Sequence, residues 1–498
     1  MTYSVAIKQS SNTELINHLI RRDGQEDLCF ALYELGTGNE RITGLITDLI
    51  LPTKGDRNVH GNVSFNSCFF DRVISTALTK NKGIVFIHSH PSSGWQGMSQ
   101  DDIATEKMLA PRVKAVTNKS LIGMTIGIDG SWSARFWSKT KPKTYKIDWC
   151  ESVRVVGTKF SITLNDNLVP PPKFNERFVR TISAWGETKQ DSISRLKVGI
   201  VGIGSVGAQI AESLLRTGIQ NITLIDFDII KAKNLDRLHG VNAKNIGYLK
   251  ADTYATILNE YKLYPNQTIK SIPYSIVEEY GLNSALDCDL IFCCVDRPWP
   301  RFILNCIAYA YLIPVIDGGI DASFSKKSNN LEQARWRTYT ANPERRCMKC
   351  MEQYTPEAVS LEQSGLLEDQ NYIKGLPDDH FSKRGENVYA FSLGLAGMQM
   401  QQFLSLVLSP RGVYYGAKEM DFTTGTIDSD FPFECEAKCE FLSLIAVGDS
   451  IKRSLIHSHE LANISRKNAL YYQPRLSLFM RIWTFVKSQF TTSNPKDI

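Results

Sequence analysis

Long apolar runs are missing from this 498-residue chain, and none approaches the ~18 residues that a membrane-spanning helix requires. The N-terminal residues 1–4 lack the basic and apolar regions of a secretory signal peptide. Lys and Arg barely exceed Asp and Glu, at 57 against 52, and they are dispersed, so nothing indicates nucleic-acid binding. We therefore expect a cytoplasmic, bacterial protein.

The chain has 11 cysteines, but they do not indicate a disulfide framework. In a chain without a signal sequence, cysteines are usually reduced thiols or metal ligands. The apolar fraction of 43% and the charged fraction of 22% are ordinary for a globular protein. The length favours two or three domains.

The most informative stretch lies between residues 196 and 250, where a strand, a glycine turn, a helix, a strand and an acid follow one another. Glycines let backbone amides approach a phosphate, the helix N-terminus supplies positive potential, and the acid accepts hydrogen bonds from a ribose. The stretch therefore predicts a nucleotide site. Its parts are Leu196–Val201, the glycines Gly202, Gly204 and Gly207, Ala208–Arg216, Ile222–Ile225 and Asp226.

Three polar residues follow this acid and argue against a hydride-transfer enzyme. Such an enzyme needs no Arg and Lys spaced to flank a triphosphate. They are Asn234, Arg237 and Lys250, and they follow an Asp226-x-Asp228 pair. This pattern resembles the ThiF/MoeB/ubiquitin-activating superfamily. The resemblance implies that Asp226 holds the ribose of ATP and that the three later residues contact its phosphates.

The next acid of that superfamily follows an apolar strand, and here Leu290–Val295 leads to Asp296. The resemblance implies that Asp296 holds Mg²⁺ beside the α-phosphate, with Arg301 on the helix behind it. Leu238 departs from the superfamily, which usually has Gln there, and we expect this to alter only the edge of the site. Alternating strands and helices over residues 196–447 predict a doubly wound, Rossmann-like α/β sheet.

A second motif lies in the first predicted unit, residues 1–145, at the end of the apolar strand Gly83–Ile87. His88 and His90 lie on the same side because strand side chains alternate, and Asp102 can add a third ligand at the start of the next helix. Three protein ligands leave a fourth tetrahedral position for water, as in catalytic zinc sites.

This H-x-H-P segment, followed by S-x-x-D, resembles the motif of JAMM (JAB/MPN) zinc metalloproteases. The resemblance implies an α/β/α metalloprotease unit with catalytic zinc on those three ligands. Ser99 would stabilise the tetrahedral intermediate, and Glu26 would be the general base. Glu34, at the other end of the adjoining strand, is the alternative base.

The same tripeptide recurs as His457-Ser458-His459, but no apolar strand precedes it. The residue three positions after Ser465 is Asn468, not Asp. We therefore expect two solvated histidines there and no metal site.

Residues 146–195 are predicted to be a linker and dimer arm, with the stiff segment Val169–Pro172 as the joint. Glu176–Gly186 is predicted to be a surface helix that ends at Gly186. It also resembles the superfamily's R-x-x-R-Q segment, in which an Arg crosses a twofold interface to the partner's ATP. Arg180 is the candidate, and the resemblance implies a homodimer.

Two cysteine pairs, spaced C-x-x-C and C-x-x-x-C, are typical of one four-thiolate structural zinc site. They are Cys347 with Cys350 and Cys435 with Cys439. The longer second spacer leaves four reduced thiols as the alternative. The predicted loop Tyr354–Asp379 contains no Cys, so we favour adenylation over a thioester on this chain.

Together, the motifs indicate a bifunctional enzyme with a JAMM zinc peptidase unit and an adenylyltransferase unit. The second would activate the C-terminal glycine of a ubiquitin-like protein, and the first would mature or remove that modifier. A conjugating enzyme or a sulfur donor would be the onward partner. The alternatives are sulfur-carrier activation for cofactor or siderophore biosynthesis, and an NAD-binding protein.

Two C-terminal segments complete the predicted organisation. Residues 386–408 are predicted to form a long amphipathic helix in the core or a dimer interface. Residues 448–498 are predicted to be a tail, with an apolar and basic stretch at 475–487 that packs on protein or a membrane surface and a disordered end at 491–498.

Overall fold

Residues 1–164 form an α/β unit in the computed structural model, which describes residues 1–60, 62–174, 176–325, 328–375, 387–412, 415–431 and 434–470. Its strands are β1 (Thr2–Lys8), β2 (Leu28–Thr37), β3 (Arg41–Ile50), β4 (Arg57–His60), β5 (Asn62–Phe65), β6 (Gly83–Ser89), β7 (Leu121–Ile126), β8 (Trp132–Lys141), β9 (Thr144–Trp149), β10 (Ser152–Val156) and β11 (Phe160–Leu164). Its helices are α1 (Gln9–Leu19), α2 (Ser67–Lys80) and α3 (Gln100–Thr117). Nine strands form one sheet in the order β11-β10-β1-β3-β2-β6-β7-β8-β9, and β4 pairs with β5.

Strand alternation divides the first sheet between two apolar cores. Cys29 and Ala31 of β2 pack on the face that also buries Leu15 of α1. Leu28 and Phe30 pack on the opposite face, beneath α2 and α3. Strand β6 alternates in the same way, so the face that buries its Phe86 continues to the end of the strand under α3.

The predicted end of the first unit at residue 145 falls inside β9, and that prediction is therefore corrected. Strands β10 and β11 extend the sheet beyond β1, with β10 parallel to β1 and antiparallel to β11. The first unit therefore ends at Leu164, and the predicted linker of residues 146–195 is shorter at its start. The alternating apolar residues Val153 and Val155, which are buried, were the missed signal.

The second unit has an eight-stranded sheet in the order β14-β13-β12-β15-β16-β17-β18-β19. The pairs from β14 to β16 are parallel, as predicted, and those from β16 to β19 are antiparallel. The strands are β12 (Lys197–Val201), β13 (Asn221–Ile225), β14 (Thr268–Ile272), β15 (Leu290–Cys293), β16 (Val315–Ser325), β17 (Asn330–Ala341), β18 (Lys418–Asp421) and β19 (Thr426–Ser429). The helices are α4 (Val179–Trp185), α5 (Glu187–Ser194), α6 (Ser205–Thr217), α7 (Lys250–Glu260), α8 (Glu279–Leu286), α9 (Pro298–Ala310), α10 (Pro356–Gln363), α11 (Gln370–Gly375), α12 (Tyr389–Leu408), α13 (Lys452–Leu455) and α14 (Glu460–Asn468).

A buried ion pair joins the two units. Arg41 of β3 contacts Asp289, which immediately precedes β15, and both side chains are at most 4% exposed. Arg154 of β10 donates to the carbonyl oxygens of Tyr311 and Leu312, at 3.1 Å each. Buried arginines require such partners, so these contacts fix the first sheet against the second.

The predicted long helix is α12, and its buried residues include Gln399 and Phe403. Residue 386, where that prediction began, and residues 475–487 and 491–498 lie outside the described residues. Within the part of the chain that the structure describes, every helix is too short or too polar to cross a membrane.

Candidate functional site

A cavity of about 950 Å³ lies at the carboxyl ends of the parallel strands of the second sheet. Open α/β sheets bind ligands at this edge, at the point where the strand order reverses. Most predicted nucleotide residues line the cavity, although they come from separate segments. They are Gly202, Gly204, Asp226, Asp228, Asn234, Arg237, Lys250 and Asp296.

The glycine turn closes tightly against its neighbours. Gly202 has a φ of +91°, and a Cβ there would lie 2.7 Å from the carbonyl oxygen of Cys294. A Cβ on Gly207 would lie 2.0 Å from the carbonyl oxygen of Gly202. Gly207 is absent from the cavity lining and lets α6 pack closely on the turn, and its nucleotide contact stays a prediction.

Asp226 and Lys250 form the buried part of the pocket. The Asp226 carboxylate accepts hydrogen bonds from the backbone amides of Ile203, at 2.6 Å, and Asp228, at 2.7 Å. Burial raises the pKa of Asp226, and the charge of Lys250 opposes this rise. Lys250 Nζ lies 2.8 Å from an Asp228 carboxylate oxygen. Burial lowers the pKa of Lys250, but the two aspartates outweigh burial and raise it.

The remaining predicted groups lie at the rim. Arg237 lines the cavity, donates to the Lys233 carbonyl oxygen at 3.0 Å and forms an ion pair with Asp236 at 3.2 Å. Asp296 is exposed and follows β15. Arg301 lies on α9 as predicted and donates to the carbonyl oxygens of Val295 and Gly318. It therefore holds the backbone beside Asp296.

Arg180 is exposed on the short helix α4, which ends at Gly186 as predicted. It does not line the cavity of its own chain. Its contribution to a partner's site stays a prediction.

His88, His90 and Asp102 converge where β6 ends and α3 begins. The Nε2 atoms of the two histidines are 3.2 Å apart. Asp102 oxygens lie 3.0 Å from His88 Nε2 and 3.2 Å from His90 Nε2. Zinc–nitrogen bonds of about 2.0–2.1 Å require ligand atoms at about this separation, so the three side chains fit a zinc ion.

Burial raises the pKa of Asp102, but hydrogen bonds to the two histidines outweigh it and hold the pKa well below its ordinary value. Asp102 is held by the helix itself. Ser99 caps α3, accepting from the Asp102 amide at 3.1 Å, while the Ser99 amide donates to the Asp102 carboxylate at 2.7 Å. This reciprocal cap positions a predicted ligand. The predicted contact of Ser99 with a reaction intermediate stays a prediction.

Glu26 and Glu34 have different surroundings. Glu34 forms an ion pair with Lys119 at 2.8 Å. Glu26 is half-buried, and burial raises its pKa while His90 and His88 oppose the rise electrostatically. Glu26 therefore interacts electrostatically with the histidine cluster, whereas Glu34 pairs with Lys119.

A buried network supports this cluster from behind. Arg135 donates to Glu106 of α3 and, at 2.8 Å, to Thr125 Oγ1. Thr125 Oγ1 in turn lies 3.5 Å from His88 Nε2. The network connects the sheet to α3 and so fixes the positions of the ligands that the two elements carry.

The four cysteines predicted to bind zinc also converge, with all four sulfur atoms within 4.8 Å of one another. The Sγ atoms of Cys347 and Cys439 are 3.7 Å apart. A tetrahedral site with Zn–S bonds of about 2.3 Å needs about this separation. The set is consistent with structural zinc despite the three-residue spacer between Cys435 and Cys439.

Of the other seven cysteines, Cys68 is exposed, on α2 of the first unit. Cys294 is half-buried, and Cys293 is buried. The remaining four are buried, namely Cys29, Cys150, Cys288 and Cys306.

The cavity lining also contains residues that the sequence analysis missed. Trp299, Glu362 and His459 all line it. Burial raises the pKa of Glu362 to about 7. The prediction of a solvated His459 is wrong, because its ring packs edge-on against Phe227 at 4.7 Å and against Trp299 at 5.8 Å. His457 is exposed, as expected.

Family comparison agrees with this geometry. Residues 177–438 match the ThiF family, and this match covers more than half of the chain. The chain therefore belongs to the ThiF family. The match begins after the first unit, which contains the histidine cluster.

Curated relatives are similar over about a quarter of the chain. The adenylyltransferase and sulfurtransferase UBA4 of Meyerozyma guilliermondii is 29% identical over 28% of this chain and 32% of its own length. The SUMO-activating enzyme subunit 2 of Dictyostelium discoideum is 29% identical over 29% of this chain and 22% of its own length. The NEDD8-activating enzyme E1 catalytic subunit of Schizosaccharomyces pombe is 30% identical, over 27% and 30% respectively.

The chain thus spans at most about a third of the length of these relatives. Among solved structures, E. coli MccB with ATP aligns over 54% of this chain and 74% of its own, with a TM-score of 0.40 and 16% identity.

Proposed function

We propose that the second unit uses ATP to adenylate the C-terminal glycine carboxylate of a ubiquitin-like or sulfur-carrier protein. The observation that carries this proposal is one cavity lined by the glycine turn, Asp226, Arg237, Lys250 and Asp296. Membership of the ThiF family and similarity to two named activating enzymes support it.

In the proposed reaction, the glycine carboxylate attacks the α-phosphate, the bond to the β-phosphate breaks, and pyrophosphate leaves. The glycine turn binds phosphate through its amides, and Asp226 binds the ribose. Arg237 and Lys250 neutralise the charge that develops on the phosphates. Asp296 would hold Mg²⁺, which would supply further neutralisation of the phosphate charge.

ATP–pyrophosphate exchange tests this proposal, with a ubiquitin-like protein encoded beside this gene as the acceptor of AMP. Exchange should require that protein and should fall at least about 100-fold in Arg237→Ala and Asp296→Asn. A wild-type chain that binds NAD but gives no exchange would support the dinucleotide alternative. A sulfurtransferase partner would favour sulfur transfer, and a conjugating enzyme would favour protein modification.

We further propose that the first unit is a zinc peptidase of the JAMM type, acting on a peptide or isopeptide bond after the modifier's C-terminal glycine. The separations among His88, His90 and Asp102 favour this second activity. A zinc ion held there supplies Lewis-acid activation of water. Glu26 takes the proton from the attacking water and returns it to the leaving amine. Both maturation and deconjugation are compatible with this chemistry.

The four-cysteine cluster is proposed to hold a structural zinc that ties residues near Cys347 to those near Cys435. Cys347→Ser should remove this zinc and lower the melting temperature, because a structural zinc contributes directly to folding. Cys68→Ser is the matched control, since Cys68 is exposed and lies outside the cluster. Equal zinc content in both variants would contradict the assignment.

A further inference from the structure

The segment His457–Leu470, here called the C-terminal strap, lines part of the nucleotide cavity. It lies beyond the residues that match the ThiF family, which end at 438. Six of its residues line the cavity, although the sequence analysis placed them in a tail. They are Ser458, His459, Glu460, Leu461, Ile464 and Ser465.

The strap is anchored by backbone hydrogen bonds at both of its ends. The amide of His457 donates to the Val277 carbonyl oxygen at 2.8 Å, and the Leu470 amide donates to the Gly247 carbonyl oxygen at 2.9 Å. Between these points, Arg466 donates to both carboxylate oxygens of Glu278, at 2.9 and 2.6 Å. These contacts hold the strap in a defined position and leave the cavity beneath it open.

The order of the strands fixes how a nucleotide would lie under the strap. The glycine turn after β12 takes the phosphates, and Asp226 after β13 takes the ribose. The base then points toward β14, the next strand, whose end is followed by Tyr274 and Ile276. Arg466 of the strap lies 4.2 Å from the Tyr274 ring, so helix α14 lies on the side of the base.

His459, near the start of the strap, packs beside residues that neighbour the predicted ribose and Mg²⁺ ligands. Its ring lies between Phe227, which is next to Asp226, and Trp299, which follows Asp296 along the chain. Its Nδ1 atom is buried and has no hydrogen-bond partner among the described residues. Burial lowers the pKa of His459 below its ordinary value.

A buried polar atom without a partner costs stability unless a ligand or water completes its hydrogen bond. Leu461 and Ile464 are partly exposed apolar residues that line the same cavity. An aromatic base has apolar faces that such side chains can cover, whereas the ribose and phosphates offer hydrogen-bond partners. The strap therefore offers apolar side chains to the base and a polar nitrogen to the ribose and phosphates.

We propose that the C-terminal strap completes the nucleotide site, with His459 hydrogen-bonded to the ribose–phosphate part of ATP and with Leu461 and Ile464 covering the base. This inference rests on the proposed use of ATP by the second unit. It assigns nucleotide contacts to residues outside the ThiF match.

The test is titration calorimetry of the full chain with Mg²⁺ and a non-hydrolysable ATP analogue. His459→Phe keeps an aromatic ring against Phe227 and Trp299 but removes Nδ1. It should bind the analogue roughly five- to tenfold more weakly, which is the effect of one lost hydrogen bond. Ile464→Ser should also weaken binding, with melting temperatures measured for every variant.

His457→Ala is the matched control, because His457 also packs edge-on against Trp299, at 5.2 Å, but does not line the cavity. It should bind the analogue as the wild type does. Wild-type affinity in His459→Phe, alongside weakened binding in Arg237→Ala, would overturn the strap's role while leaving the proposed function intact. Tighter binding in His459→Phe would overturn it too, because the strap would then obstruct the site. Absence of binding by the wild type would instead remove the proposed function.

Discussion

The tripeptide His-Ser-His occurs twice in this chain, and its two copies have different surroundings. His88 and His90 end a strand, so both imidazoles lie on one face, and helix α3 brings Asp102 to them. His457 and His459 precede helix α14 outside any strand, and only His459 enters a cavity. Three identical residues therefore become a candidate metal site or a cavity wall according to the backbone that carries them.

Strand alternation alone is therefore not sufficient to build a metal site. Both copies bring a histidine within reach of buried groups, but the first also has Asp102, held by the Ser99 cap. The second has the aromatic rings of Phe227 and Trp299 instead.

Removing a ligand from the first copy should have the largest effect. His88→Ala should lower bound zinc from about two equivalents to about one per chain, because three-ligand and four-ligand sites each hold one ion. Peptide cleavage should be lost, and ATP–pyrophosphate exchange should persist. Metal analysis of the purified chain measures the first change. His457→Ala, from the second copy, should keep both zinc ions. An equal loss of zinc in the two variants would contradict the assignment of a metal site to the first copy alone.

Changing the proposed proton carrier should separate zinc binding from catalysis at the first copy. Glu26→Gln should retain both zinc ions but lower the rate of peptide cleavage about 10²- to 10⁴-fold, the usual contribution of a general base. Glu34→Gln serves as the control, since Glu34 pairs with Lys119. If Glu34→Gln were the more impaired variant, the assignment of the base would be reversed.

Breaking the buried ion pair tests whether the regions that carry the two copies unfold together. Asp289→Asn should lower the free energy of unfolding by about 3–5 kcal/mol, because it leaves Arg41 buried without its charged partner. Urea unfolding followed by fluorescence measures this loss. A single transition should shift for both units, whereas two independent transitions would show that the interface contributes little.

The smallest expected effect concerns Glu362, which lines the cavity beside the second copy. Burial raises its pKa from 4.5 to about 7, so the folded state binds its proton more tightly than the unfolded state does. The resulting stability is fully present below pH 4.5 and is lost as the pH rises through about 7. Between pH 5 and 8, wild type should therefore lose about 1–3 kcal/mol relative to Glu362→Gln. Parallel pH profiles of the two proteins would contradict this.

Much of the second unit could be predicted because its signals are local. The glycine turn, the parallel strands and the acids that follow them are short-range patterns, and the structure brings most of the predicted residues to one cavity. Gly207 is an exception, since it packs α6 against the turn. The spacing of a glycine indicates close approach but does not say whether a ligand or the backbone approaches.

The limits of the first unit were harder to predict from the sequence. Strands β10 and β11 were missed because residues 146–195 contain prolines and polar residues that resemble a linker, yet β10 pairs with β1 from the start of the chain. Pairing between such distant segments has no local signature. The choice between Glu26 and Glu34 likewise depended on where Lys119, far along the chain, comes to lie.

Local sequence patterns were sufficient to identify two sets of candidate metal ligands, a glycine turn and the acids and bases of a candidate nucleotide site. Residues a few positions apart on a strand or helix have nearly fixed relative positions, so their spacing was sufficient. The tertiary structure was needed to show that the C-terminal strap lines the cavity and that His459 packs against Phe227 and Trp299. Those contacts join segments that are far apart in the chain, and packing alone decides which of them meet.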